Sequence, residues 1–247
     1  MINTIIFLID GLKMGHILLE GGAEFNGRIR EADLEAMRLA GGVNQPIGII
    51  PAAAWPDNNH LKAGRNAQQW FQRLGATHVQ TVPLLDPASA NDRAVAKALL
   101  NCQLIFLLGG FPHHLALTLA DSMALKAIRK AFSKGAVIAG SSAGAMVLAN
   151  IYFDPYRKTL QAGVGLLRGI CIIPHYNSYG KHWLSKLKGF QISETIIGID
   201  ERTGLISDDS QRQWQVLGEG HVTVHHENKS ERFGSNRLLT FGARLIS

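Results

Sequence analysis

Two patterns of apolar residues alternate along this chain. Short, mostly apolar runs at residues 5–9, 46–50, 78–84, 104–108, 136–139 and 170–174 read as buried strands. Between them, residues 31–39, 61–74, 92–100 and 123–133 carry apolar side chains at three- and four-residue steps and read as helices. In the second of these, Ala63, Ala67, Trp70, Phe71 and Leu74 make the stripe, and Asp57-Asn58-Asn59 ahead of it offers cap oxygens. Strand and helix in alternation predict an α/β fold, a mostly parallel sheet with helices on both faces. Beyond residue 195 the segments shorten. Residues 196–200, 204–207, 213–217, 221–226 and 238–241 are separated by Gly, Asp, Asn and Ser and read as C-terminal β-hairpins appended to the sheet. No repeat, low-complexity stretch or Pro/Ser/Gly linker divides the chain, so one domain over residues 1–247 is expected.

Composition narrows the classes of function. Apolar residues are 46% of 247, enough for a substantial core. The net charge is +6, but the cations stand singly or in pairs such as Arg129 and Lys130, without a run of five, so no nucleic-acid partner is expected. Cys102, two residues ahead of the run at 104–108, and Cys171, between Ile170 and Ile172, read as buried free thiols of a reducing compartment. The first residues lack a basic segment and a cleavage site, and no apolar run reaches 18 residues. Neither a secretory leader nor a membrane span is expected, and the cytoplasm is the expected location.

Residues 136–149 read Ala-Val-Ile-Ala-Gly-Ser-Ser-Ala-Gly-Ala-Met-Val-Leu-Ala, and Gly140, Ser142 and Gly144 fit G-x-S-x-G. A buried strand precedes the motif and a small-residue helix start follows it, the context of a nucleophile elbow. The glycines remove Cβ atoms where backbones crowd, and the sharp turn pushes the Ser142 hydroxyl outward. The Ala143 amide would then face an oxyanion formed at Ser142. A serine nucleophile needs a base and an orienting acid. Among ten histidines, His175 lies just past an apolar run, His113 and His114 follow Gly109-Gly110-Phe111-Pro112, and His221, His225 and His226 lie in Val/Thr-rich sequence. Asp86, Asp154, Asp200 and Glu201 are acid candidates, the last two at a strand end. Lys181, Lys186 and Arg202 near these segments suggest an anionic substrate. Neither a metal nor a cofactor is expected. H-E-x-x-H and paired-cysteine spacings are absent, and Gly163, Gly165 and Gly169 miss the dinucleotide spacing by one residue. His221 and His225 on one strand would be about 13 Å apart, too far to share an ion.

Five blocks in order resemble the dipeptidase E and cyanophycinase family of serine peptidases. They are Leu107-Leu108-Gly109-Gly110, Gly140-Ser141-Ser142-Ala143-Gly144-Ala145, Gly163-Val164-Gly165-Leu166-Leu167 with Pro174-His175-Tyr176, Ile197-Gly198-Ile199-Asp200-Glu201-Arg202-Thr203, and Val216 to Val222. The resemblance implies Ser142 as nucleophile, His175 as base and Glu201 as acid, with oxyanion donors at the amides of Ala143 and Gly110. It also implies a flavodoxin-like fold related to class I glutamine amidotransferases, acting on a small peptide or amide substrate. Phe111 and His113 after the Gly-Gly turn, and Asn177 and Lys181 after the histidine, are the candidates for substrate contact. Pro-His-aromatic is closer to the dipeptidase branch, although Arg157 stands where that branch has an acidic residue. Two alternatives stay open. An α/β-hydrolase-type esterase would use Ser142, Glu201 or Asp208, and His225 or His226. A binding protein on the same scaffold would use none of them. An apolar helix face could pair two copies into a homodimer or simply face the sheet.

Overall fold

The computed structural model of the chain describes residues 14–226, 229–241 and 244–245. The strand expected at residues 5–9 lies outside that range. The first described strand, β1 (Ile17–Glu20), follows Gly15 and is fully buried. It is followed by β2 (Ile47–Ile50), β3 (Val79–Thr81), β4 (Leu104–Leu107) and β5 (Val137–Ser141). These five are parallel, in the order β1-β5-β4-β2-β3. β3 is shorter than the apolar run at 78–84. The Val82 amide still reaches Ile49 O at 2.8 Å, but Pro83 has no amide to continue the ladder.

Alternation along the strands sorts the core into two layers. Ile17, Leu19, Ile105, Leu107 and Ile138 point to one face, and Leu18, Leu104, Phe106, Val137 and Ala139 to the other. Helices α1 (Arg30–Leu39) and α2 (His60–Arg73) cover the second face through Ala32, Ala36, Met37, Ala67, Trp70 and Phe71. The cap oxygens expected ahead of α2 are not used that way: Asn59 makes no side-chain cap bond. Helices α3 (Arg93–Leu100), α4 (Pro112–Leu119), α5 (Met123–Phe132) and α6 (Ala143–Leu148) cover the first face. Asp92 caps α3 by accepting from the Ala94 amide. α4 was not legible as a helix: His113-His114 interrupts its stripe, yet Leu115, Ala116 and Leu119 are buried, and Pro112 occupies the first turn, where no amide is needed.

The chain then leaves the main sheet. β6 (Ile151–Asp154) and β7 (Thr159–Ala162) form a hairpin, and β8 (Leu167–Arg168) leads into β9 (Ile170–Ile173). After α7 (Trp183–Gly189), β10 (Thr195–Ile199) runs parallel to β9. β11 (Thr203–Ser207) and β12 (Trp214–Gly218) return to the main sheet, antiparallel beside β1. β13 (His221–His226) and β14 (Lys229–Gly234) build on β10 instead, so the second sheet reads β14-β13-β10-β9. β15 (Leu238–Leu239) ends the main sheet beside β12, and β16 (Arg244–Leu245) pairs with β8. The C-terminal hairpins therefore extend two sheets rather than one. The carboxyl ends of β5, β9 and β10 converge where these sheets meet.

Candidate active site

The last turn of backbone in β5 carries Ser142 into α6. Ser142 has φ 51 and ψ −111, a strained conformation for a non-glycine residue, as a nucleophile elbow requires. Neighbouring glycines make that turn possible. A Cβ on Gly144 would lie 2.2 Å from Leu107 O, and one on Gly140 would lie 2.5 Å from Gly144 C. The Ala143 amide opens α6 and so has no intrahelical acceptor.

Ser142 Oγ lies 2.9 Å from His175 Nε2, and His175 Nδ1 lies 2.8 Å from Glu201 Oε1. Each member follows a different strand: Ser142 β5, His175 β9, Glu201 β10. A carboxylate only accepts, so Nδ1 carries the proton toward Glu201 and Nε2 is left to accept from the serine hydroxyl. The His175 hydrogen bond holds the Glu201 carboxyl below its ordinary value, and the Ser178 hydroxyl, donating at 3.1 Å, adds to this. The Glu201 amide donates to Asn177 Oδ1 at 2.9 Å.

Three consecutive carbonyls at the end of β1 tie these segments together. Glu20 O accepts from the Ser142 amide at 3.0 Å, Gly21 O from the His175 amide at 2.7 Å, and Gly22 O from the Arg202 amide at 2.9 Å. Gly22 is at φ +99, and its Cα lies so close to the imidazole that a Cβ would come within 2.2 Å of His175 Cε1.

Ser142 opens into a cleft of about 300 Å3 that it shares with Gly110, Ala143, Met146, Tyr156, Tyr179 and Trp183. Tyr179 stacks on His175 with centroids 4.6 Å apart, and Phe111 stacks on Tyr156 at 5.1 Å. Burial pushes the Tyr179 hydroxyl up to about 12, with the charges of Glu201, Tyr156 and Glu24 adding to it.

The expected oxyanion residues, Gly110 and Ala143, thus both line the cleft, and Phe111 buttresses its wall. The other substrate candidates fall elsewhere. His113 lies on α4 and does not line the cleft. Asn177 and Lys181 line a separate groove of about 620 Å3 with Tyr176 and His225. The chain turns sharply after His175, at φ 51, and carries them to that side. Arg202 is paired with Glu219 at 2.6 Å. The esterase arrangement is also not formed, because His225 pairs with the Tyr176 hydroxyl at 2.8 Å and not with Ser142. Among the described residues, no three His, Cys, Asp or Glu side chains are grouped to hold a metal ion, and no helix is long and apolar enough to cross a membrane.

Two acidic groups went unnoticed in the sequence. Glu20 and Asp33 are both fully buried beneath the elbow. Neither Glu20 oxygen has a hydrogen-bond partner, while Asp33 accepts from Trp70 Nε1 at 2.8 Å. Burial raises both carboxyls well above their ordinary values, and their mutual proximity raises Glu20 further. Glu24 lies two residues past Gly22. The signal that could have located this region is the run 17–20 between Gly15 and Gly21-Gly22, a short buried strand ending in a glycine turn.

Comparison with known proteins identifies the family. The family model described as Peptidase family S51 matches residues 17–214. A cyanophycinase from Synechococcus elongatus is 28% identical over 223 residues, 85% of this chain and 67% of the relative. The cyanophycinase of Geminocystis herdmanii (strain PCC 6308) is 26% identical over 220 residues, 84% and 79% of the two chains. Among solved structures, a peptidase from an acI-B1 Actinobacterium superposes with a TM-score of 0.83 at 26% identity, covering 94% of this chain and 98% of its own. A putative peptidase E from Listeria monocytogenes EGD-e shares the fold, with a TM-score of 0.57 at 15% identity over 86% of this chain and 98% of its own. With the family match covering most of its length, the chain belongs to peptidase family S51, and it is a peptidase.

Proposed function

We propose that this peptidase hydrolyses amide bonds of small peptides through an acyl-enzyme on Ser142, with His175 as base and Glu201 as orienting acid. The observation that carries the reading is the unbroken hydrogen-bond chain from Ser142 Oγ through the imidazole to Glu201, at 2.9 and 2.8 Å, beginning at a strained serine. Ser142 Oγ attacks the carbonyl carbon while Nε2 takes its proton, and Glu201 stabilises the imidazolium that results. The amides of Ala143 and Gly110 bind the oxyanion, one such donor contributing about 3–4 kcal/mol. The imidazolium then protonates the departing amine as the C–N bond breaks, leaving an ester on Ser142. Water, deprotonated by His175, attacks that ester and releases the acid. None of these steps uses a metal or cofactor. A cytoplasmic setting fits the two cysteines, both free and buried, with burial pushing the Cys171 thiol up to about 12.

The test is labelling with a fluorophosphonate probe followed by peptide mapping, alongside turnover of a dipeptide panel. One adduct on Ser142 is expected, and Ser142→Ala should lower kcat by about 10³-fold or more. A variant that keeps near-wild-type turnover, or a wild-type enzyme that turns over substrate while Ser142 stays unlabelled, removes the acyl-enzyme reading.

A further inference from the structure

The two buried acids beneath the elbow have no part in the steps above. Glu20 closes β1 and stands in register with Ser141, the residue before the nucleophile. Both side chains therefore leave the sheet on the face that α1 and α2 cover, the face of Leu18 and Ala139. Asp33 on α1 meets Glu20 there. All three residues are fully buried. Asp33 Oδ2 accepts from Trp70 Nε1 of α2 at 2.8 Å. Asp33 Oδ1, both Glu20 carboxyl oxygens and Ser141 Oγ are shut off from solvent and have no such partner.

Two ionised carboxylates facing each other offer acceptors and no donor. Buried in that state they are strongly unfavourable. Neither acid is ion-paired among the described residues. A further charge facing them, Glu24 on the loop past Gly22, is also acidic. On its other side β1 meets β11 at Gly204, which has no side chain to donate. One proton resolves the conflict. Placed on Glu20, it gives Asp33 Oδ1 its missing donor, and the Ser141 hydroxyl can serve the remaining Glu20 oxygen. The Trp70 bond favours the charge on Asp33, which leaves the proton to Glu20. Burial and the two neighbouring acids hold the Glu20 carboxyl well above its ordinary value, in agreement with that placement.

We infer that the Glu20 side chain works as a neutral carboxylic acid donating to Asp33, and that this makes Glu20 a positioning residue for Ser142. The same residue acts at both ends. Its main-chain carbonyl accepts from the Ser142 amide at 3.0 Å, next to a serine held at φ 51. Its side chain ties that peptide unit to α1, and through Asp33 and Trp70 to α2. A chain of hydrogen bonds thus runs from the helices of one face to the strained elbow. Loss of the Glu20 proton to solvent turns the link into a repulsion between two carboxylates in a site of low polarity. The end of β1 then shifts, and the carbonyl that holds the Ser142 amide shifts with it.

This assignment rests on the acyl-enzyme reading, and the experiment separates the two. Wild-type enzyme, Glu20→Gln and Glu20→Met are compared by infrared spectroscopy and by the rate at which a neutral fluorophosphonate probe labels Ser142 across pH. Glutamine copies the protonated acid, with a donor and an acceptor that cannot ionise; methionine has neither. At pH 8, where an ordinary carboxyl is ionised, wild type should show a protonated-carboxyl stretch that Glu20→Gln removes. The wild-type labelling rate should rise from acid to neutral pH, as a histidine base requires, and then fall tenfold or more at alkaline pH while circular dichroism still reports a folded protein. Glu20→Gln should keep the rise and lose the fall. Glu20→Met should label about 10- to 100-fold more slowly at every pH, a loss that Glu20→Gln largely recovers. A missing infrared band, a wild-type rate that stays flat until the fold melts, or an alkaline fall that persists in Glu20→Gln overturns the assignment, even if Glu20→Met fails to fold. Wild-type Ser142 that takes no label at any pH counts instead against the acyl-enzyme reading, and the infrared band then still decides whether Glu20 holds its proton.

Discussion

Replacing Gly22 by alanine tests whether the end of β1 sets the position of the imidazole. The substitution has two effects of different size. Gly22 sits at φ +99, so any side chain there adds backbone strain of about 1–3 kcal/mol. The new methyl would also stand 2.2 Å from His175 Cε1, 2.5 Å from Nε2 and 2.9 Å from Nδ1. Non-bonded carbons settle at about 3.5–4.0 Å, so ring and methyl must separate by roughly 1 Å or more. Ser142 Oγ and Nε2 are 2.9 Å apart, and a shift of that size takes the pair out of hydrogen-bonding range. A misplacement of about 1 Å can cost 10²-fold in rate, so kcat/KM should fall by about that factor or more. Gly42→Ala isolates the strain. Gly42 has nearly the same φ, +100, but its Cβ would meet nothing within 4 Å. Peptide turnover, fluorophosphonate labelling and thermal melts of both variants give the answer. Both should melt lower, by about 2–4 °C for each kcal/mol lost, but only Gly22→Ala should lose turnover and labelling. If Gly22→Ala labels within threefold of wild type, or if Gly42→Ala loses activity equally, the contact with the imidazole does not control the site.

Three further outcomes follow from the same geometry. Glu201→Gln keeps the shape but no longer selects the Nδ1-protonated tautomer, so kcat should fall about 10³- to 10⁴-fold with little change in melting temperature; a loss under tenfold would contradict the orienting role. Gly144→Ala drives a methyl to 2.2 Å from Leu107 O, a backbone atom that cannot swing aside, and should cost about 1–3 kcal/mol or more in urea unfolding; unchanged stability would show that the elbow is loosely packed. Burial raises the Asp33 carboxyl from its ordinary 3.8 to about 7, so it costs stability progressively as pH climbs between those values, and the cost is complete above them. Asp33→Asn keeps an acceptor for Trp70 and should stabilise the protein by roughly 1–4 kcal/mol at pH 8 but little near pH 4; an equal effect at both pH values would mean that Asp33 is not the titrating group.

What was legible in the sequence was what local sterics dictate. The runs at 46–50, 104–108 and 136–139 became β2, β4 and β5 because a strand buried on both faces has no polar position to blur it. Ser142 was legible for the same reason, since Gly140 and Gly144 are demanded by contacts within a few residues or with the adjacent strand. β1 was not, although Ile17-Leu18-Leu19 followed by Gly21-Gly22 carries a strand signal as clear as the others. The longer run at 5–9 took its place in the reading. The choice of His175 among ten histidines came from the family pattern, because no local feature separates a strand-end histidine that faces a serine from one that faces a tyrosine, as His225 does. Lys181 and Asn177 line another groove, because the chain turns at His175 and proximity in sequence to the base does not survive that turn. Glu20 could not have been found by pattern alone: a glutamate closing an apolar run reads as a solvent-facing strand end, and only the packing of α1 and α2 over it makes it buried.

The candidate triad spans 33 residues from serine to histidine and 26 from histidine to glutamate, and its members come from two different sheets. Side-chain hydrogen bonds alone are a weak way to assemble such a site, because each side chain could reach its partner from several backbone positions. The carbonyls of Glu20, Gly21 and Gly22 remove that freedom, each fixing the backbone of one triad segment. β1 can do this because it lies in the main sheet between β5, which delivers Ser142, and β11, which follows Glu201, while its continuation crosses to the end of β9. Each such bond contributes about 0.5–1.5 kcal/mol net, so three together are comparable to the cost of ordering two or three residues. The glycine turn and the triad should therefore order as one unit. Damage to the turn then disconnects base from nucleophile without unfolding either sheet.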